Sequence, residues 1–368
     1  MSERNLNEKS EVLAPLAEAE KLAQATEYWR EKLTGEERIT PPQHGECRCT
    51  IVVPVYGESI RRIEKQLVSI RAQTVPAAHY EVIYVVNNRP NATDTRTKAA
   101  VALNQSLLKY LEGVTDVPVY AIDKSSVGQE IEDCNVGKAR NRGVAEATRR
   151  FYENGKNGII IQTDADTYFE NTDYLAAVIA AFETSPDVVG VAGGLVFEFS
   201  PDTFNDEERE LVRSKIDRLL YLKIWQAFQA FLRGEFDAAP KQTNFSGAHM
   251  LSRSYETAVI GGLNDEDFGE DQQFGFDLTE YARHNLGRVV GMKDELQVIT
   301  ALRDSDRTPA SFKKTLDAID MTKPLLIEGE VIDAEKIEAT EKIVLLRAGG
   351  QELLEYMRKT LDSVRMGE

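Results

Sequence analysis

The stretch 159-IIIQTDADTYF-169 runs from an apolar segment into two carboxylates one residue apart. Residues 158–161 read as a short buried strand, and the polar pair Gln162-Thr163 is where such a strand leaves the core. Asp164 and Asp166 then stand at the carboxyl end of that strand. Open α/β sheets bind ligands in the crevice outside those ends, so two acids there are placed to hold a hard divalent cation through oxygen. A cation held in this way keeps coordination sites for phosphate oxygens. An Asp-rich turn that merely ends a strand has the same local pattern, so the reading depends on the rest of the chain.

The 368 residues can bury a large core and suggest two or three domains, or one enlarged α/β domain. A formal net charge of -17 excludes a nucleic-acid binder, because no run of Lys and Arg is long enough to overcome repulsion from a polyanion. A divalent cation suits so acidic a protein. Cys47, Cys49 and Cys134 are too few for a disulfide framework, and Cys47 and Cys49 lack the second pair of a zinc site. The opening MSERNLNEKSEV has no apolar signal core, and no window approaches 18 uncharged apolar residues, so the expectation is a soluble, cytoplasmic protein without a transmembrane segment.

Residues 1 to about 40 are expected to be helical through Leu13, Leu16, Leu22, Tyr28, Trp29 and Leu33, until Pro41-Pro42. Such an arm would pack outside the main domain or on a second subunit. A β-branched run at 50–55, broken by Pro54, precedes the helical spacing of Ile63, Leu67 and Ile70. Strands follow at 81–86, ending in Asn87-Asn88, and at 117–122, with a helix near 94–111 between them. A helix at 137–152 leads to the strand at 158–161. Strand, helix, strand at this spacing implies parallel pairing with right-handed crossovers, hence a doubly wound, Rossmann-like nucleotide-binding half. Beyond a helix at 172–182, the strand 188–199 carries Gly193-Gly194, which suits a bend or a close backbone approach to ligand.

A long helix at 206–232 carries Trp225, Phe228 and Phe231, fit for the core, a membrane interface or the wall of an apolar acceptor site. Its basic residues would favour anionic lipid, but the acidity of the whole chain opposes it, so a water-soluble acceptor is expected. Residues 288–301 read as one or two strands. From about Pro309 the chain reads as mostly helical, with Leu345, Leu346, Leu353, Leu354, Met357 and Leu361 suited to packing or to a homodimer face.

Four segments together resemble the family-2 glycosyltransferases of the GT-A fold: VVPVYGES at 52–59, GKARNRG at 137–143, TDAD at 163–166 and GGLNDEDFGEDQQFGFDL at 261–278. The resemblance spans roughly residues 48–307. It leaves an amino-terminal helical arm, 1–47, and a carboxy-terminal helical extension, 308–368, outside. It implies an α/β fold with a doubly wound mixed sheet, and an enzyme that moves a hexose from a UDP- or GDP-sugar to an acceptor hydroxyl with inversion, using Mn²⁺ or Mg²⁺.

By the same resemblance Asp166 binds the metal, Asp164 contacts ribose or metal-bound water, and Asp271 of Gly269-Glu270-Asp271 is the base, with Glu270 beside it. Pro54, Val55, Tyr56, Glu58 and Ala165 fall in the donor-binding motifs, and Lys138 and Arg140 would contact base or diphosphate. The chemistry is sound independently of the family. A diphosphate leaves well once a cation neutralises it, and an attacking hydroxyl must give its proton to a carboxylate within hydrogen-bond reach. Each assignment has a plainer counterpart: a solvated helix face for Lys138 and Arg140, and a helix cap for Asp271.

Two departures from the family pattern stand out. Asn87-Asn88 occupies the place where many relatives carry Asp, which keeps a guanine donor open with Asn88 as its candidate contact. No clear third metal ligand is present; His249 in SGAHMLSR is the candidate, though a lone His is more often structural than a ligand. Arg303 and Arg307 in LRDSDR follow the last strand, where Arg could clamp a diphosphate in bidentate fashion. A nucleotidyltransferase would also use acids and a metal, but usually has a Gly-rich basic loop after its first strand, which VPVYGES lacks. A non-catalytic sugar-nucleotide-binding protein is a third reading, and the intact Asp164, Asp166 and Asp271 speak against it.

Overall fold

The computed structural model describes residues 16–90, 94–132, 135–199, 245–264 and 269–302, the single residues 207, 210, 211 and 214, and two short strands at 325–327 and 330–332. Its centre is β1 (Cys49–Val55), buried at every position. On one side β1 pairs in parallel with β2 (Tyr80–Asn87), which pairs in parallel with β3 (Val119–Lys124). On the other side it pairs in parallel with β4 (Ile159–Gln162). Cys49, Ile51, Val53 and Val55 enter one core, whereas Val52 enters the other. A strand covered on both faces needs a continuous apolar run, which is why β1, β2 and β4 show no polar alternation.

The helices that link these strands are α2 (Ile60–Arg71), α3 (Thr95–Glu112) and α4 (Val136–Glu153). The sheet continues past β4 through β5 (Thr167–Tyr168), α5 (Tyr174–Glu183), β6 (Val188–Phe199), β7 (Met250–Arg253), α6 (Ser254–Val259), α7 (Glu270–His284) and β8 (Arg288–Leu302). Its order is β3-β2-β1-β4-β7-β6-β8-β5, with β7 antiparallel to both neighbours. This is a doubly wound mixed sheet. The order reverses direction between β1 and β4, and the crevice of such a sheet opens at that switch point.

Pro54 marks the opening. Thr163 donates its N–H to the Val52 carbonyl at 3.1 Å, so that edge of β1 faces β4, which has ended by the time Pro54 comes round to the same side. The missing proline N–H therefore leaves no ladder partner unpaired.

The amino-terminal helix is α1 (Glu18–Lys32), shorter than the periodicity predicts, and it packs on α4 and α6. Ala25, Tyr28, Trp29 and Leu33 belong to the same core as Val52 and Phe151. The segment after α1 crosses α4 and meets its arginines: Arg150 donates to the Pro41 carbonyl at 2.6 Å and pairs with Glu81 at 2.7 Å, and Arg149 pairs with Glu146 at 2.6 Å. The solvated face that this helix suggests in sequence is therefore absent: residues 137 and 139–151 are buried, and their charges are matched by carboxylates and carbonyls.

Two further elements differ from the sequence reading, β7 and the carboxy-terminal strands, and 288–302 takes one of the two forms read for it. Strand β7 lies in a segment without β-branched alternation and owes its strand state to pairing on both edges. Residues 288–302 form one strand whose register with β6 shifts at Gly193/Gly194. In the carboxy-terminal region expected to be helical, β9 (Leu325–Ile327) and β10 (Glu330–Ile332) pair antiparallel, each carrying a short apolar run. The long helix expected at 206–232, apart from the four single residues, and the acids Asp265, Glu266 and Asp267 lie outside the described residues. Among the described residues no helix is long and apolar enough to cross a membrane.

Candidate active site

The turn that follows β4 is built by its neighbours. The Thr163 hydroxyl donates to the Ala248 carbonyl at 2.9 Å, and the Asp164 carbonyl accepts from Thr167 N–H at 3.1 Å. The buried Gln66 amide of α2 donates to the carbonyls of Asp164 (3.0 Å) and Thr167 (2.7 Å), and is itself oriented by the Tyr84 hydroxyl at 2.9 Å. Backbone carbonyls of the turn thus receive donors from a helix as well as from the turn itself. Ala165 is 5% exposed and belongs to the core, whereas Asp164 and Asp166 on either side of it are only partly buried.

Arg140 of α4 joins this turn to the start of α7. Its side chain is 2% exposed, one terminal nitrogen pairing with Glu270 at 2.7 Å and the other with Asp164 and with the Gly247 carbonyl (2.9 Å). Three segments far apart in sequence therefore meet on one guanidinium, whose planar fork suits several acceptors at once. Burial pushes the Glu270 carboxyl above its ordinary range, with Arg140 pulling the other way and the Asp271 and Asp164 charges adding to the rise.

Asp271 lies one residue further along α7. One carboxylate oxygen accepts from Gly247 N–H at 2.8 Å and the other from Gln272 N–H at 2.8 Å. The cap residue of α7 is Gly269, in the left-handed region at φ 84°, so Asp271 is in the first turn, where a negative charge is favoured by the helix dipole. Its side chain is tied across to the loop before β7, which an ordinary cap would not require.

The remaining sequence candidates are spread around this centre. Pro54 and Val55 are buried at the end of β1, Tyr56 is half-buried, and Glu58 is buried against Arg62 at 3.2 Å. Gly57, at φ 62°, turns the chain where an added Cβ would lie 2.8 Å from the Ala100 Cβ. Asn88 is buried, accepting from the Ser125 hydroxyl and from Asn104, while Asn104 also binds Gly57 N–H (2.9 Å) and the Asn87 carbonyl (2.8 Å). The Asn pair thereby fixes the ends of β1, β2 and β3 to one another. Lys138 directs its ammonium to the Glu132 carbonyl at 3.4 Å, away from the Arg140 cluster. Arg303 and Arg307 lie outside the described residues.

His249 is wholly buried. Its Nδ1 lies 3.0 Å from the Gly194 carbonyl and its Nε2 2.5 Å from the Tyr174 hydroxyl. A carbonyl only accepts, so Nδ1 carries the proton and Nε2 receives the tyrosine's. Both nitrogens are committed to the protein, and the ring fills the space where a Gly193 Cβ would sit 1.9 Å from Cε1. The close approach at Gly193 is therefore to this imidazole. Burial pushes the pKa of His249 down to about 4 from 6.5. The folded state thus resists a proton that the unfolded chain takes up below pH 6.5. Stability is fully present above pH 6.5 and falls as pH drops toward 4, by up to about 3 kcal/mol from this group. Thermal unfolding followed against pH should show that loss in the wild type and a flatter profile in His249→Gln.

The acid pair fits a divalent cation of a particular kind. Asp164 and Asp166 offer carboxylate oxygen across one residue, and among the described residues no group of three or more His, Cys, Asp or Glu is gathered for a metal. Carboxylate oxygen is a donor that Mg²⁺ and Mn²⁺ take, and one Asp164 oxygen is already paired with Arg140.

A mixed sheet parallel through β3-β2-β1-β4 and reversed at β7, with acids at the carboxyl end of β4, is a doubly wound α/β architecture of the kind the resemblance to the GT-A fold implies. No family model matches the chain, and no curated protein matches it. Among solved structures it is similar to the mannosyltransferase PcManGT from Pyrobaculum calidifontis in complex with GDP-Man and Mn²⁺, at 19% identity and TM-score 0.42, covering 78% of this chain and 67% of that one. It is also similar to S. aureus TarS 1-349 in complex with UDP-GlcNAc, at 14% identity and TM-score 0.42, covering 72% of this chain and 61% of that one. The chain thus spans about two thirds of the first structure's length and less of the second's. At these identities the likeness is one of architecture and assigns no substrate.

Proposed function

We propose that this protein is a glycosyltransferase that moves a hexosyl group from a UDP- or GDP-sugar to the hydroxyl of a water-soluble acceptor in the cytoplasm, with inversion at the anomeric carbon. The observation that carries the reading is the Arg140 bridge, which sets the Asp164 turn and the Glu270-Asp271 pair at one switch-point crevice. A donor-side acid pair and an acceptor-side carboxylate are the two parts this reaction needs.

Asp164 and Asp166 would hold Mn²⁺ or Mg²⁺, which when bound supplies positive charge to the diphosphate leaving group. Asp271 takes the proton of the acceptor hydroxyl as its oxygen bonds to the anomeric carbon, and the nucleoside diphosphate leaves with the electron pair of the broken bond. Glu270, buried and paired with Arg140, holds that arginine and leaves the proton to Asp271. Pro54, Val55, Tyr56 and Glu58 border the donor from β1, with Asn88 bracing the floor beneath them. Lys138, Arg303 and Arg307 are assigned to the base and diphosphate.

Thermal unfolding with UDP- and GDP-sugars plus Mn²⁺ tests this. A donor at 100 times its Kd stabilises the native state by about 2.7 kcal/mol, so one nucleotide series should raise the midpoint and the effect should vanish with chelator. No shift with any sugar nucleotide would remove the proposal.

A further inference from the structure

The loop ahead of β7 is fixed on several sides. Phe245 is buried edge-on against Phe274 of α7 at 5.8 Å, and its carbonyl accepts from Gln272. Ser246 and His249 close a turn through a 2.7 Å backbone bond, the Ala248 carbonyl accepts from Thr163, and the His249 ring is locked by Tyr174 and Gly194. Gly247 sits at the tip of this turn. Its N–H holds the Asp271 carboxylate at 2.8 Å, and its carbonyl holds Arg140 at 2.9 Å. A Cβ there would lie 2.6 Å from both terminal nitrogens of Arg140, so any side chain at 247 displaces the guanidinium.

We infer that Arg140 is a positioning residue for Asp271, acting through Gly247, and that it fixes the distance between the donor-side turn and the carboxylate that faces the acceptor. The inference deepens the proposed function and rests on it for the role of Asp271. The assignment moves Arg140 away from donor contact. Both terminal nitrogens are taken up by Asp164, Glu270 and Gly247 in a side chain almost wholly removed from solvent. Proximity of reacting groups is worth large factors in rate, and a small misplacement by a residue outside the chemistry is enough to lose much of it. A group acting in this way lowers turnover while leaving ground-state donor binding nearly intact.

Arg140→Lys keeps the charge and loses the fork that reaches two carboxylates and a carbonyl. Two readouts apply to the full-length protein: hydrogen exchange of the Gly247 amide, and steady-state kcat and donor KM with Mn²⁺ and the sugar nucleotide that stabilises the wild type. The expected result is exchange at Gly247 faster by roughly tenfold or more, kcat lower by roughly tenfold or more, and donor KM within about threefold. Wild-type protection at Gly247, or a loss carried by KM instead of kcat, overturns the inference. Should Arg140→Lys fail to fold, Glu270→Gln loosens the same guanidinium while keeping side-chain volume and is judged by the same outcomes. A wild-type protein that transfers no sugar would remove the proposed function, while exchange at Gly247 would still decide whether Arg140 holds that loop.

Discussion

Asp271→Asn is expected to stay folded, to bind the sugar nucleotide within a few-fold of the wild-type affinity, and to lose transfer by roughly 10²–10⁴-fold, the usual contribution of a positioned general base. The amide keeps the carboxylate's size and one oxygen that can still accept the Gly247 N–H; the bond lost is the one from the exposed Gln272 N–H, which in the first turn of a helix can go to water instead. What disappears is the lone-pair basicity needed to take a hydroxyl proton. Parallel measurements of donor affinity by calorimetry and of turnover separate the two effects. Transfer within tenfold of the wild type would place the base elsewhere, and loss of donor binding would give Asp271 a nucleotide-side or structural role.

Asp166→Ala should have the opposite signature. The turn is held by the Thr167 N–H to Asp164 carbonyl bond and by the Gln66 amide, neither of which uses the Asp166 side chain. Removing one of the two carboxylates proposed to hold the cation should weaken Mn²⁺-dependent donor binding by roughly a hundredfold or more. Titration of the nucleotide in Mn²⁺ and in chelator reads this directly. An unchanged Mn²⁺-dependent affinity would show that the acid turn has no part in holding the cation.

The strands that position the site were legible because a parallel sheet covered on both faces demands continuous β-branched runs, and 50–55, 81–86 and 158–161 are such runs. The acid turn was legible because it follows one of them. The bonds that hold the site together were not, because each joins residues remote in sequence and carries no local signature. Gln66 looks like any polar position of α2, although its amide pins a turn nearly a hundred residues away. Gly247 looks like a loop glycine, and only the guanidinium packed against it shows why a side chain is excluded. The same limit explains α4: its arginines suggest solvent, whereas the Glu81 carboxylate and the Pro41 carbonyl that take up Arg150 come from other elements. His249 is a candidate ligand in sequence only for want of a clear third one, and the tyrosine and carbonyl that occupy its nitrogens are visible only in three dimensions. Strand β7 was missed because its state is imposed by two neighbouring strands instead of its own composition.

The central claim is that a nucleoside diphosphate binds at the carboxyl end of β4 with a divalent cation on the Asp164 and Asp166 turn. Crystals grown with Mn²⁺ and either GDP or UDP, with data collected for manganese anomalous scattering, test it most directly. One anomalous peak is expected within bonding distance of an Asp164 or Asp166 oxygen and of the diphosphate, with the nucleoside lying toward the ends of β1 and β2. A peak elsewhere, or a nucleotide bound away from that turn, would contradict it.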